Sequence, residues 1–191
     1  SPDLPIKARI VTSTANGYQY RDVTIETLSN FEQVDGSYAR VLSNASIDAT
    51  AQISDVTTSG INSIFIDRGT PPSLEYSLDG DVIVARNFVT LEILSLYYSF
   101  EQTVKFWVNN MNLDIDDFGK STLYHAPVAR SETSSASAGL IIKINAAYLP
   151  SDNIFLLFQT SALEMIPMNI NFGVLAHEFG HAIFDYKFAE R

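Results

Sequence analysis

The sequence contains no cysteine. That removes a disulfide frame, a thiolate metal site and a cysteine nucleophile. Charge is sparse too. Of 191 residues 18% are charged and 46% hydrophobic, which excludes a disordered chain and leaves enough apolar material for a sizeable core. Basic residues are the scarcer sign, 12 Lys and Arg against 22 Asp and Glu, a formal net charge of −10. With no basic stripe to neutralise phosphates, nucleic acid is excluded as an expected partner, and an anionic membrane surface is disfavoured for the same reason. Long apolar runs are also missing. The most apolar region, residues 82–100, is interrupted by Arg86 and Glu92, short of the 18 or so uncharged residues a spanning helix needs, so no transmembrane segment is expected. The chain opens Ser1-Pro2-Asp3 rather than on Met, which reads as an N-terminus matured by processing or artificially trimmed, and the lack of cysteine suits the expectation of an extracellular or periplasmic secreted protein.

The residues that are present read first as β-structure. Residues 6–14 (IKARIVTST) and 20–28 (YRDVTIETL) are rich in Val, Ile, Thr and Tyr, with Asn16-Gly17 as turn residues between them. Residues 37–53 and 61–67 continue the pattern, and GTPPS at 69–73 marks a boundary because neither strand nor helix accommodates it. A long helix is expected next, capped by Asp79 or Asp81. Apolar side chains recur along it at Val84, Phe88, Leu91, Leu94, Tyr98 and Trp107, and it should end within residues 109–114. The adjoining DIDDFGK departs from a calcium loop, with Phe118 where an oxygen ligand belongs and His125 where the closing Glu belongs. Calcium is possible but unsupported there, and a helix-ending turn is the expectation. SETSSASA (131–138) reads as a flexible loop and GLIIKINAAYL (139–149) as a strand, with a second apolar run at 153–158. A β-rich region over 1–70 with a mixed or antiparallel sheet, then a helix-bearing region over 71–191, gives an α+β fold class.

Histidine is rare, with three in the chain, and two of them fall in VLAHEFGHAIFDY (174–186). His177-Glu178-Phe179-Gly180-His181 has the form H-E-x-x-H. Residues four apart share a helical face, so His177 and His181 can direct imidazole nitrogens at one zinc ion, about 2.0–2.1 Å away. Glu178, turned about 100° from His177, flanks that ion and can act as general base toward a water whose pKa zinc lowers to about 7. It can then pass the proton to a leaving amine, which amounts to peptide-bond hydrolysis. With three histidines and nine glutamates in the chain, chance would produce this pattern in roughly two or three of a thousand such sequences. Phe172, Val174, Leu175, Phe179, Ile183 and Phe184 surround the motif with apolar side chains, so the helix is expected to be buried all round. Two imidazoles and a carboxylate inside it would then need a metal to offset their desolvation.

The third ligand decides the clan. A metzincin continues to a glycine and a third histidine, but Phe184 and Lys187 occupy those positions. Asp185 lies one further turn along, where it orients a ligand or packs the helix, and Glu190 is further off still. HEFGHAIFDY, INAAY (144–148) before it, and the earlier order of long helix, turn and strand resemble the thermolysin-like gluzincins, including the fungalysin-like peptidases. The resemblance covers residues 80–191; the first third shares only its β-richness.

That resemblance implies a zincin-like fold with a buried C-terminal active-site helix, zinc held by His177 and His181, and Glu178 as general base. It further implies that Asn145 and Ala146 bind a polypeptide substrate along an edge strand, and that Val174 lines the pocket for the side chain after the scissile bond. In this family the third ligand, a glutamate on a later helix, and the groups that stabilise the oxyanion lie further downstream than Arg191. The 191 residues therefore read as the N-terminal half of a secreted zinc metalloendopeptidase, whose C-terminal part supplies the third ligand. His125, in LYHAPVAR, reads as a strand-end or loop residue. Two other readings stay open: a non-catalytic binding module descended from such a peptidase, and another H-E-x-x-H hydrolase such as an aminopeptidase.

Overall fold

Short β-branched segments separated by turn residues satisfy their backbone groups only by pairing, and the N-terminal half does so in mixed sheets. The computed structural model describes residues 4–55, 58–67, 69–126, 128–129, 146–149, 153–157 and 172–188. The first sheet contains β1 (Ile6–Thr14), β2 (Gly17–Ile25), β8 (Tyr76–Asp79) and β9 (Val82–Ala85), in the order β2-β1-β9-β8. A second has the order β12-β13-β10-β5-β4-β3. Its strands are β3 (Leu28–Asn30), β4 (Asp35–Gly36), β5 (Ala39–Leu42), β10 (Ser121–His125), β12 (Ala146–Leu149) and β13 (Ile154–Leu157). A third joins β6 (Ser46–Asp55), β7 (Thr58–Asp67) and β11 (Val128–Ala129). Helix α1 (Phe88–Met111), the short α2 (Ile115–Phe118) and α3 (Phe172–Phe188) complete the described elements. The fold is α+β, with mixed sheets and one long helix.

Several boundaries differ from the sequence expectation, each for a local reason. The expected strand 20–28 divides into the end of β2 and the start of β3, and 37–53 divides into β5 and β6. Asn44 takes φ 57°, a left-handed conformation that breaks the second of these runs, and Ser43 there exchanges backbone hydrogen bonds with Thr70, at 2.7 and 2.9 Å. The helix expected from Asp79 or Asp81 starts instead at Phe88. Asn87 is its cap, accepting from the Thr90 N–H at 2.8 Å. Residues 76–85 form the hairpin β8–β9, turning on Gly80-Asp81 with Gly80 at φ 63°, the placement a type II′ turn uses. Val84 therefore belongs to β9, which runs parallel to β1. The helix ends as expected, with Asn112 at φ 52° closing it.

Helix α1 lies at the centre. Ile93, Leu94, Leu96, Tyr97, Phe100 and Val104 are buried in one cluster with Ala8 and Ile10 of β1, Val41 of β5, Leu123 of β10, Phe155 of β13, and Phe179 and Ile183 of α3. This core and the first two sheets draw on residues from both sides of position 70. It also encloses polar groups. The buried Glu101 Oε1 accepts from the N–H groups of Glu26 and Thr27, at 2.9 and 2.8 Å, and from the Thr27 hydroxyl at 2.6 Å. Thr27 Oγ1 also meets the Tyr97 hydroxyl at 2.8 Å. Gly36 abuts this cluster so closely that an added Cβ would sit 2.0 Å from the Thr27 carbonyl oxygen, which excludes any side chain there.

Candidate functional site

The H-E-x-x-H segment lies inside α3, which is continuous from Phe172 to Phe188. Position 177 and position 181 are therefore one turn apart on the same face. In this helix side chains are described from Phe179 to Phe188, Asp185 excepted, so those of Val174, His177, Glu178 and Asp185 lie outside the described residues. Asn145 and Glu190, the loop at 131–138 and residues 139–145 also lie outside them.

The described part of α3 has two unlike faces. Phe179, Ala182 and Ile183 are buried, Tyr186 partly so, and their spacing of three and four makes one stripe. Phe179 anchors it. Its ring meets Phe100 at 5.6 Å between centroids, Phe118 at 5.6 Å, and Phe155 at 6.1 Å in a stacked arrangement. Tyr186 adds an edge contact to Phe118 and donates its hydroxyl to Asp117 Oδ2 at 2.5 Å. The opposite stripe is His181, Phe184 and Phe188. All three are exposed, the two phenylalanines by 66% and 70%, with their rings 4.9 Å apart. The expectation of a helix buried all round is corrected here. Apolar composition does not secure burial, because the aromatic partners of α1, α2 and β13 cover a single side of the described part of the helix.

Ala146 opens β12, the edge strand of the second sheet, pairing antiparallel with Leu157 of β13. Tyr148 on that strand packs on Phe155 at 4.9 Å, and Phe155 stacks on Phe179, so a continuous ring contact joins the edge strand to the motif helix. The DIDDFGK segment forms α2, with Asp114 Oδ1 spent on capping, accepting from the N–H groups of Asp116 and Asp117 at 3.1 and 3.3 Å.

His125 proves to be a core residue. It ends β10 with 5% of its side chain exposed, and its Nε2 is hydrogen-bonded to Oε1 of Glu92, wholly buried on α1. Sequence reasoning left both residues without a role. The available signal was Glu92 itself: an acid within an apolar helix needs a buried partner, and a histidine on a neighbouring strand is one. The Asp117–Tyr186 link had no comparable signal, because it depends on how α2 and α3 meet.

No protein-family model matches the chain. No curated protein and no solved structure matches it either. Among the described residues no helix is long and apolar enough to cross a membrane, and no three His, Asp or Glu side chains gather as a metal would need. Two histidines four positions apart on one helix have the spacing that two ligands of a zinc shell require. Continuous helical geometry over 172–188 gives the spacing, and exposure of His181 gives an ion access.

Proposed function

We propose that this chain supplies the two-histidine helix and the general base of a secreted zinc metalloendopeptidase of the thermolysin-like kind. One observation carries the reading. The H-E-x-x-H segment lies in a single unbroken helix whose core contacts come from Phe179 and Ile183, so His181 stands on the solvent side, where an ion can reach it. A histidine kept for the core looks different, as His125 does. His177 and His181 would hold the ion, which when bound supplies Lewis acidity and a water acidified to a pKa of about 7.

Glu178 takes a proton at its carboxylate oxygen and delivers it to the leaving amine nitrogen. The substrate is a polypeptide. It adds as a strand along β12, with backbone hydrogen bonds from Asn145 and Ala146, and Val174 lines the pocket beyond the scissile bond. A third ligand comes from a part of the protein beyond Arg191. That part also covers the apolar ground around Phe184 and Phe188, which otherwise lies open to water.

The test uses the complete protein with an unstructured polypeptide substrate. Glu178→Gln should retain metal while losing about 10²–10⁴-fold in turnover, the usual worth of a general base. His181→Ala should lose both metal and cleavage. Zinc binding without cleavage by the unaltered protein would favour the binding module, and release of N-terminal residues alone would favour an aminopeptidase.

A further inference from the structure

The hairpin β1–β2 outruns its sheet. β1 pairs with β9 at Lys7, Ala8 and Arg9, whereas its pairing with β2 continues from Ile6 to Thr14 without a register shift. Beyond Arg9 the sheet is thus two strands wide among the described residues. Ile10 and Val11 are still buried, but every residue from Gly17 to Asp22 of β2 is exposed, including those facing either side of the ribbon. Two-stranded ribbons are marginal in water, and three or more strands are needed for independent stability.

Sheet edges left open in this way are normally protected by charged side chains, lysine above all, by proline, by a bulge or by a covering element, and here Arg21 and Asp22 are the charges present. Residues 17–22, GYQYRD, contain neither proline nor lysine, the β1–β2 register has no bulge, and exposure of all six residues leaves the outer edge of β2 uncovered. Two tyrosines stand on this edge, Tyr18 at 43% and Tyr20 at 66% exposure.

We propose that this edge is closed by a second copy of the chain, β2 pairing antiparallel with β2 of its partner about a two-fold axis at Tyr20. A two-fold axis normal to a sheet pairs residues on the same face, so the alternatives are centred on single residues. Centring on Arg21 or Asp22 sets like charges opposite each other, which destabilises a strand pair. Centring on Tyr20 sets the two Tyr20 rings together, Tyr18 opposite Asp22, and Gln19 opposite Arg21. Each of these is a favourable combination: an aromatic pair, a phenol donating to a carboxylate, and a guanidinium donating to an amide oxygen. Asp22 already accepts from Arg9 at 2.8 and 3.2 Å, and a carboxylate has further lone pairs for the tyrosine hydroxyl. The two ribbons become a four-stranded sheet that crosses the axis. The net charge of −10 on each copy opposes this association, which makes the dimer weak at low ionic strength and stronger when salt screens the repulsion.

Because the sequence has no cysteine, single-cysteine variants read the register directly. Directly opposed Cβ atoms lie about 4.5–5.5 Å apart, close to disulfide distance. Under a glutathione redox buffer, Tyr20→Cys should form a covalent dimer at least about tenfold faster than Gln19→Cys or Arg21→Cys alone, since each of those faces the other type. An equimolar mixture of Gln19→Cys and Arg21→Cys should cross-link with each other in preference to themselves. In sedimentation, the unaltered chain at high concentration and about 0.5 M salt should show dimer, and Tyr20→Lys should remain monomeric. A chain that stays monomeric under those conditions overturns the proposal. Equal cross-linking at 19, 20 and 21, or fastest cross-linking at 18 or 22, overturns it too.

Discussion

Helices α1 and α3 are both apolar helices carrying ionisable groups, and they treat those groups in opposite ways. On α1 the acids face inward and each is met: Glu101 takes three hydrogen bonds at 2.6–2.9 Å from the chain around Thr27, and Glu92 is bonded to His125. On α3 the described ionisable residue of the motif, His181, faces outward beside two exposed phenylalanines, while the core contacts are left to Phe179, Ala182 and Ile183. A buried carboxyl bonded through one oxygen to the surrounding chain is a structural arrangement, because loss of that partner strands it in a medium that cannot solvate it. The His181 imidazole instead stands at the surface of an otherwise apolar helix. The difference separates a histidine inside the core from one at the surface.

Breaking the inner face of α3 should have the largest effect. Phe179 joins Phe100, Phe118 and Phe155 in one aromatic cluster, and Phe179→Ala should cost about 3–5 kcal/mol in urea unfolding. Glu101→Ala should come next at roughly 3 kcal/mol, since it orphans the Thr27 N–H inside the core and leaves the Thr27 hydroxyl with Tyr97 alone. Tyr97→Phe, which removes one hydroxyl from the same cluster, should cost nearer to about 1 kcal/mol. The outer face sharpens the contrast. Phe184→Ala should leave stability of this chain within about 0.5 kcal/mol of the original, because its ring is two-thirds exposed. A loss at Phe184 as large as that at Phe179 would mean that the two faces are not distinct.

Much of this was legible in the sequence. Alternation located β1 and most of β7. The repeat of apolar residues from Phe88 to Trp107 located α1, and Asn112 ended it where asparagine commonly does. The failures cluster where tertiary pairing overrides a local pattern. VIVA at 82–85 shares the helical spacing of residues 88–107, but Gly80 permits a hairpin and β1 offers an edge, so the segment becomes β9. STLYH at 121–125 is too short and too mixed to announce itself, yet β10 lies between β5 and β13. At the motif the spacing of His177, Glu178 and His181 was plain, while the division of α3 into a buried and an exposed face was not. That division depends on where Phe100, Phe118 and Phe155 stand, and the composition of α3 alone contains no trace of it.

The smallest expected effect concerns surface charge on the first sheet. Arg9 bridges strands, donating to Asp22 of β2 at 2.8 and 3.2 Å and to Asp79 of β8 at 3.1 Å. The hydrogen bond from Arg9 holds the Asp22 carboxyl below the ordinary aspartate value, and Lys7 does the same for Asp81. A carboxyl depressed in the folded state contributes stability that is complete above its unfolded pKa, about 3.9, and is lost as pH falls through the lower folded value. The urea midpoint of the unaltered chain should therefore decline below about pH 4, and Asp22→Asn should flatten part of that decline without moving the midpoint much at about pH 7. Lys7, Asp22 and Asp81 are solvent-exposed and Arg9 partly so, and about 0.5 M salt should shrink the difference further. An acid limb unchanged by Asp22→Asn would remove the Arg9 bridge from any account of what holds β2 against β1. The hairpin would then rest on its backbone pairing and on Val23 and Ile25 alone.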